Sequence, residues 1–254
     1  MEFKYQGFEF TIDKLALKGM LFVAVSGAHA YGWARDDSDL DVRQVWFPDV
    51  AQAVSPFFKA KTLMWTTQNI DRMTYDFVSY PISEYLHLVA KGNGNIIENL
   101  FQEKVWENKQ LVSELQEIVI ANLHKGLLQH YLGYSLSLAK DMGNPSRIKR
   151  YGLDKLLLCR YRVLLAGLIL EQKHKIVYNL EDQAKLRKTE NCLPLLNQYK
   201  NKVVEITGLR SDAMNEVIDL HEELEHVIEN SKLPDSKIGA PIVQLDRWLV
   251  KYYK

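Results

Sequence analysis

The sequence predicts an α+β protein, in which an α/β domain in residues 1–105 precedes a helical domain in residues 106–254. Before residue 105, short runs rich in β-branched and aromatic residues are separated by Gly, Pro, Asp and Asn, which is typical of strands and turns. After it, apolar residues recur at intervals of three and four, which is typical of helices. The charge changes at the same place, because residues 1–107 carry 10 basic and 14 acidic side chains, whereas residues 108–254 carry 22 and 18.

The local patterns place the individual elements. Four strands are predicted over Leu21–Val25, Leu40–Phe47, Thr62–Thr67 and Met73–Tyr80. Four amphipathic segments predict helices over His124–Lys140, Leu153–Leu170, Ser211–Glu229 and Ile242–Tyr252. Gly143 and Pro145 separate the first two of these helices into a hairpin.

Composition excludes several classes of protein. Apolar residues make up 47% and charged residues 25%, which is the mix of a globular protein and excludes disorder or collagen. The longest apolar run, Val163–Leu170, is too short to span a bilayer, and the N-terminus has no apolar signal core, so we expect a cytoplasmic protein with no membrane contact. Cys159 and Cys192 have no metal or redox spacing and are expected to be buried thiols. The formal net charge of zero means that any contact with nucleic acid must be local.

The chemistry is concentrated between the first two predicted strands. The first strand ends at Ser26-Gly27, small residues then begin a short helix, and Asp39-Leu40-Asp41 opens the next strand. Because strand side chains alternate, the two carboxylates project together, roughly 6–7 Å apart. Such a pair suits Mg²⁺ (or Mn²⁺), which takes its remaining ligands from water and substrate phosphates, and the N–H groups after Ser26-Gly27 suit a phosphate. The pattern therefore predicts a site for a metal and a nucleoside triphosphate.

Two other phosphate or metal motifs are excluded at this place. Gly27 and Gly32 have the spacing of P-loop glycines, but Trp33-Ala34 stands where that loop needs Lys and Ser or Thr. The acidic run also lacks the Gly and distal Glu of an EF-hand.

At these residues the chain resembles the DNA polymerase β-like nucleotidyltransferase superfamily, and within it the branch of RNA-ligase-associated predicted nucleotidyltransferases. Three blocks of that branch have counterparts here, at Gly27–Gly32, Ser38–Arg43 and Lys91–Phe101. The resemblance implies a polymerase β-type nucleotidyltransferase α/β domain followed by a helical domain. Two positions depart from the pattern of the branch. Ala28 replaces the small hydroxyl residue usual after the glycine, which leaves Ser26 as a substitute hydroxyl. Gly94 replaces a proline, which makes the loop at Lys91–Asn95 less rigid.

The resemblance also implies roles for individual residues. Asp39 and Asp41 would be catalytic metal ligands, and a third carboxylate from a neighbouring strand would bind metal and activate the attacking hydroxyl, for which Asp76 is the best candidate. An exposed strand residue is the alternative interpretation of Asp76. The predicted nucleotide-binding residues are Ser26, Gly27, His29, Tyr31, Ser38, Arg43, Asn93, Asn95, Glu98, Lys155 and Arg162.

Several of these residues have a purely structural alternative. His29 and Tyr31 could pack rather than line a pocket, and Asn93, Asn95 and Glu98 could serve a helix start. Arg162 lies among apolar neighbours, where a semi-buried arginine usually has an anionic partner.

Residues 140–188 form a basic segment, with 12 basic and 5 acidic side chains. It is either a solvated helix surface or a site for phosphates. In the second case Arg147, Lys149 and Arg150 would contact RNA. His221 and His226 are five residues apart, which does not suit a zinc pair on one helix face, and we expect both to be solvated.

The sequence thus predicts a Mg²⁺-dependent nucleotidyltransferase that moves a nucleoside monophosphate from an NTP to a hydroxyl, most plausibly an RNA 3′ end, and releases pyrophosphate. A toxin or regulator that nucleotidylates a protein is an alternative with the same chemistry. A relative that binds nucleotide or RNA without turnover is another, and Ala28 makes it conceivable.

Overall fold

A computed structural model describes residues 2–5, 8–11, 19–57, 60–68, 74–203, 208–235 and 239–253. The chain divides into two compact units. The first comprises residues 1–30, 37–122 and 237–254, and the second comprises residues 31–36 and 123–236. This division differs from the predicted boundary at residue 105, because the helix after the last strand and the C-terminal helix both belong with the sheet.

The described strands all lie before residue 108 and the described elements after it are helices, a segregation typical of an α+β fold. The strands are β1 (Glu2–Tyr5), β2 (Phe8–Thr11), β3 (Met20–Ser26), β4 (Leu40–Trp46), β5 (Leu63–Gln68), β6 (Thr74–Pro81) and β7 (Lys104–Glu107). The helices are α1 (Gly27–Tyr31), α2 (Val50–Val54), α3 (Ile82–Ala90), α4 (Gly94–Phe101), α5 (Lys109–Ala121), α6 (Lys125–Met142), α7 (Pro145–Tyr151), α8 (Leu153–Lys173), α9 (Leu180–Arg187), α10 (Cys192–Lys200), α11 (Leu209–Asn230) and α12 (Gly239–Tyr252).

The first unit is built on a five-stranded sheet with the strand order β5-β6-β4-β3-β7. The pairs are antiparallel except for β4 and β6, which run parallel. The four predicted strands are confirmed, as β3, β4, β5 and β6, although Met73 of the last one lies outside the described residues. The hairpin of β1 with β2 and the short strand β7 were not predicted.

One face of the sheet is an apolar core that includes residues of β1. Its members are Phe3, Tyr5, Met20, Val23, Val25, Leu40, Val42, Tyr75 and Phe77. Because side chains alternate along a strand, the residues between these point to the other face. Among them are Ser26, Asp41 and Asp76.

Helix α12 belongs to the sheet unit although it is distant from the sheet in sequence. Phe47, which follows β4, stacks on the Tyr252 ring with 3.7 Å between ring centroids. The Lys251 ammonium lies 3.0 Å from the Glu114 carboxylate of α5. These contacts are why the sequence boundary at residue 105 does not divide the chain into its compact units.

The second unit is helical and is organised around α8. This helix is buried along most of its length and packs against α6, α9, α10 and α11. Gly167 allows α11 to come close, since a Cβ on this glycine would lie 2.9 Å from a methyl carbon of Leu224. The helices predicted at His124–Lys140, Leu153–Leu170, Ser211–Glu229 and Ile242–Tyr252 are confirmed as α6, α8, α11 and α12.

The prediction that His221 is solvated was wrong. Its side chain is buried, with 9% of the residue exposed, and the ring Nδ1 atom lies 3.1 Å from the Ser135 hydroxyl. His221 follows Val217 by four residues and precedes Leu224 by three, so it lies on the apolar stripe of α11. His226 is exposed, as predicted.

In the part of the chain that the structure describes, no helix is both long and apolar enough to cross a membrane.

Candidate functional site

The face of the sheet opposite the apolar core, called the site face below, carries one row of polar side chains across four neighbouring strands. In register, Ser26 of β3 pairs with Asp41 of β4, Asp41 pairs with Asp76 of β6, and Asp76 pairs with Thr66 of β5. Residues paired in this way point to the same face, and neighbouring strands lie about 4.8 Å apart. Two predicted site residues on different strands, Asp41 and Asp76, are therefore brought together.

Asp39 lies directly before β4, two residues from Asp41. Its side chain is exposed, whereas Leu40 between the two carboxylates is fully buried. This is the alternation on which the sequence prediction of a paired carboxylate site depended.

Arg43 holds two strands of the site together. One guanidinium nitrogen lies 2.8 Å from Oδ1 of Asp41, and the other donates to the backbone carbonyl of Asp76 at 3.1 Å. Since Arg43 is two residues after Asp41 on the same strand, both side chains project from the same face. The guanidinium therefore orients one carboxylate directly and fixes the backbone that carries the other.

Gly27 is the position where the site tolerates no side chain. Its φ of +60° is in the left-handed region, and a Cβ placed there would lie 1.8 Å from Oδ2 of Asp41. No adjustment of a rotamer accommodates both groups without moving the carboxylate. The glycine thus leaves space in which Oδ2 of Asp41 sits.

Thr66 is a site residue that the sequence analysis missed. Its hydroxyl donates a hydrogen bond to Oδ1 of Asp76 at 2.6 Å. The strand containing it was predicted, but its register against the strand of Asp76 was not, and without the register Thr66 and Thr67 are equivalent candidates. Antiparallel pairing of Leu63 with Ser79 resolves this, because it places Thr66 opposite Asp76.

His29 lies on α1, half-buried next to the site. Burial lowers the pKa of its imidazole, while a hydrogen bond with the Ser38 backbone and the charge of Asp41 act in the opposite direction. The ring also makes an edge contact with Tyr5, with 6.5 Å between centroids. Packing and proximity to Asp41 are both present, so the two interpretations of His29 are compatible.

Of the three predicted residues at the start of α4, Asn93 has the structural role of a helix cap. The Asn93 side chain accepts a hydrogen bond from the Ile96 backbone N–H at 3.2 Å, which is the capping role. Asn95 is half-buried in the first turn, and Glu98 is fully buried.

Tyr31, Lys155 and Arg162 belong to the helical unit. Arg162 is 2% exposed, and its guanidinium carbon lies 4.1 Å from the centroid of the Tyr31 ring. A second ring, that of Tyr134, lies 5.9 Å from the same guanidinium. Cation–π contacts with both rings therefore contribute to holding this arginine among apolar neighbours. Lys155 is half-buried on α8.

The predicted RNA contacts are accessible. Arg147, Lys149 and Arg150 are all exposed on α7. Arg147 is partly neutralised, because its Nε lies 3.5 Å from a carboxylate oxygen of Asp141.

The carboxylates fit a hard divalent cation by their chemistry, although no group of three or more His, Cys, Asp or Glu among the described residues is arranged as a metal site. The contacts with Arg43 and Thr66 engage Oδ1 of Asp41 and of Asp76. Oδ2 of Asp41 occupies the space that the missing Cβ of Gly27 leaves. Carboxylate oxygens are ligands that Mg²⁺ accepts, so Asp39, Asp41 and Asp76 are the residues that would hold it.

One known family matches nearly the whole chain. The sequence pattern of the RNA repair pathway DNA polymerase beta family matches residues 10–251. An uncharacterized protein from Methanocaldococcus jannaschii is 27% identical over 152 residues, and the chain spans 59% of the length of this curated relative, over 59% of its own length. A solved structure, that of a nucleotidyltransferase-like protein from Exiguobacterium sibiricum 255-15, is 9% identical with a TM-score of 0.30, covering 94% of this chain and 76% of that one.

The close approach of Gly27 to Asp41 can be measured with a double-mutant cycle. We expect Gly27→Ala to lower the free energy of unfolding by about 1–3 kcal/mol, because the methyl group adds a collision to the backbone strain. In an Asp41→Ala background the collision with the carboxylate is gone, and about 1 kcal/mol of strain remains together with a close contact of 3.0 Å between the two Cβ atoms. Urea denaturation followed by circular dichroism gives the four values. Equal effects of Gly27→Ala in both backgrounds would contradict the contact.

Proposed function

Because the chain belongs to the RNA repair pathway DNA polymerase beta family, we propose that it is a Mg²⁺-dependent nucleotidyltransferase acting on an RNA 3′ end. In the proposed reaction the hydroxyl oxygen attacks the α-phosphorus of an NTP. A new phosphorus–oxygen bond forms, the bond to the bridging oxygen of the β-phosphate breaks, and pyrophosphate leaves. The observation that carries the proposal is the row of Ser26, Asp41, Asp76 and Thr66 across four strands.

The metal would be held by the three carboxylates. Asp41 would supply oxygens from β4, and Asp39 from the position just before that strand. Asp76 would supply them from β6, which runs parallel to β4. When bound there, Mg²⁺ (or Mn²⁺) offsets the negative charge of the triphosphate and of the departing pyrophosphate.

Asp76 would accept the proton of the attacking hydroxyl. A general base must be held within hydrogen-bond reach of that hydroxyl and in a fixed orientation. The Thr66 hydroxyl, 2.6 Å from Oδ1, and the Arg43 contact with the Asp76 carbonyl supply this orientation from both neighbouring strands. Oδ2, to which none of the described side chains donates, would face the substrate.

The nucleotide would be bound by residues around the end of β3 and the start of β4 and by the start of α4. Ser26 shares the face of Asp41, so its hydroxyl can replace the one that Ala28 lacks. His29, whose pKa burial lowers, would act as a neutral hydrogen-bonding group. The remaining nucleotide-binding residues in the proposal are Gly27, Ser38, Arg43, Asn93, Asn95 and Glu98.

RNA is the proposed acceptor for two reasons. The family is described by a role in RNA repair, and α7 presents Arg147, Lys149 and Arg150 to solvent. Cations at an accessible helix surface can contact a phosphate backbone without sequence preference.

Substitution of the carboxylates tests the chemistry. We expect Asp39→Asn or Asp41→Asn to lower transfer by roughly a hundredfold or more, since each removes charge that must offset the triphosphate. Asp76→Asn should abolish transfer while Mg-NTP binding stays within about tenfold. Transfer of each α-labelled NTP to RNA, resolved on a gel, measures both effects.

Asp36→Asn, which removes an exposed carboxylate a few residues before the motif, is the matched control and should leave transfer unchanged. Near-normal turnover in Asp39→Asn or Asp41→Asn would contradict the assignment of these residues as metal ligands. Label in protein rather than RNA would favour the protein-nucleotidylating alternative, and nucleotide binding without transfer would favour the inactive relative.

Thr66 offers a test of how Asp76 is positioned. Thr66→Val keeps the shape of the side chain but removes the donor, and a hydrogen bond to a charged group is worth enough to lower kcat roughly tenfold. Thr66→Ser should restore kcat, and KM for NTP should barely change in either variant. Thr67→Val, an exposed neighbour on the opposite face, is the control. A Thr66→Val enzyme with the kcat of Thr67→Val would argue against the positioning role.

The acceptor proposal depends on the exposed cations of α7. Replacing Arg147, Lys149 and Arg150 by Ala should weaken RNA binding and reduce its salt slope by roughly 0.7 for each lost phosphate contact. Affinity for NTP alone should not change. The control variant replaces Lys61, Lys109 and Lys232, which are exposed elsewhere, and makes the same change in charge. A loss of NTP affinity with an unchanged RNA slope would instead assign α7 to the triphosphate.

A further inference from the structure

The two edges of the five-stranded sheet differ in how they are protected. At one edge β7 has four residues, which include Lys104 and Glu107. At the other edge β5 has six residues, and the chain carries no charge from Thr62 through Gln68. Natural sheets usually protect an edge with charged residues, proline, a bulge or a short strand, because unpaired backbone groups attract another strand. Among the described residues, the β7 edge has such protection and the β5 edge does not.

The unprotected edge is also apolar and accessible. Leu63 is 56% exposed, Met64 is 76% exposed and Trp65 is 38% exposed, and Thr66 and Thr67 are exposed as well. Among the described residues β5 pairs with β6 alone, in a regular register without a bulge. An accessible strand of this length and composition offers a row of backbone donors and acceptors on its outer side.

We propose that β5 pairs antiparallel with β5 of a second copy of this chain. In a strand pair related by a two-fold axis, the residue at the axis lies opposite its own copy, and its neighbours lie close to theirs. A charged strand would therefore set like charges against each other. The uncharged stretch from Thr62 through Gln68 is the kind of strand that avoids this. The formal net charge of zero removes long-range repulsion between the two copies as well. A strand from a charged partner would find no complementary charge here.

The proposed pairing has a definite geometry. In a two-fold pair of strands, antiparallel partners point to the same face only when the axis is perpendicular to the sheet and passes midway between one residue and its own copy. Met64 and Thr66 then meet the second copy on the site face, and Leu63, Trp65 and Thr67 meet it on the other. The two copies of Asp76 lie on the same face, three strand spacings or about 14 Å apart across the sheet.

This interface would brace a strand that touches the candidate site. Thr66 of β5 donates to Asp76, so fixing the outer side of β5 limits the movement of that donor. The pairing itself does not depend on the proposed reaction. Failure of transfer and failure of dimerisation are therefore separate results.

Light scattering coupled to size exclusion, over a series of protein concentrations, tests the proposal. We expect the wild-type chain to be a dimer at micromolar concentration and Met64→Lys to be a monomer, since the substitution sets two ammonium groups close together across the axis. Met64→Gln keeps the length without the charge and should remain a dimer. Ile218→Lys, at a similarly apolar exposed position of α11, should also remain a dimer.

Thr67→Lys, on the opposite face, repeats the test if Met64→Lys fails to fold, as judged by circular dichroism. Slower amide exchange in residues 63–68 of the dimer than of the monomeric variant would support the strand pairing. A wild-type monomer at every concentration overturns the proposal, and so does a dimer that both lysine variants retain. A monomer whose β5 amides become protected only when single-stranded RNA is added would assign this edge to RNA instead and would also overturn it.

Discussion

The candidate site depends on one close approach, that of the Gly27 backbone to the Asp41 carboxylate. Because a Cβ at Gly27 would lie 1.8 Å from Oδ2, the turn that ends β3 and the carboxylate of β4 fit together only without a side chain. The positive φ that turns the chain out of the strand is also one that glycine adopts at low cost. Sterics and backbone conformation thus require the same residue at the same position.

Much of the site could be predicted because it is local in sequence. The two carboxylates of Asp39 and Asp41 follow from strand alternation alone, and the strands themselves follow from their composition. What could not be predicted is register between segments that are distant along the chain. Asp76 was identified by resemblance, whereas its partner Thr66 depends on which residue of β5 lies opposite it, a relation that no local pattern records.

The same distinction between local and long-range information explains the other differences. Short β1, β2 and β7 carry too few residues for a clear alternation, and α12 joins the sheet unit through contacts such as Phe47 with Tyr252, more than two hundred residues apart. His221 is an exception, because its spacing from Val217 and Leu224 already placed it on the apolar stripe. The burial of Arg162 was correctly inferred, and its contacts with the Tyr31 and Tyr134 rings depend on positions that no local pattern records.

The division of the chain has a consequence for the order of biosynthesis. Residues 123–236 are continuous and make up nearly all of the helical unit, whereas the sheet unit needs segments from both sides of them. The ribosome releases residues 237–254 of the sheet unit after the helical unit. Domains generally fold as units while synthesis proceeds. The helical unit can therefore become compact on the nascent chain first. The sheet unit closes only when α12 emerges and Tyr252 reaches Phe47, so a polypeptide still lacking α12 would not have a completed sheet unit.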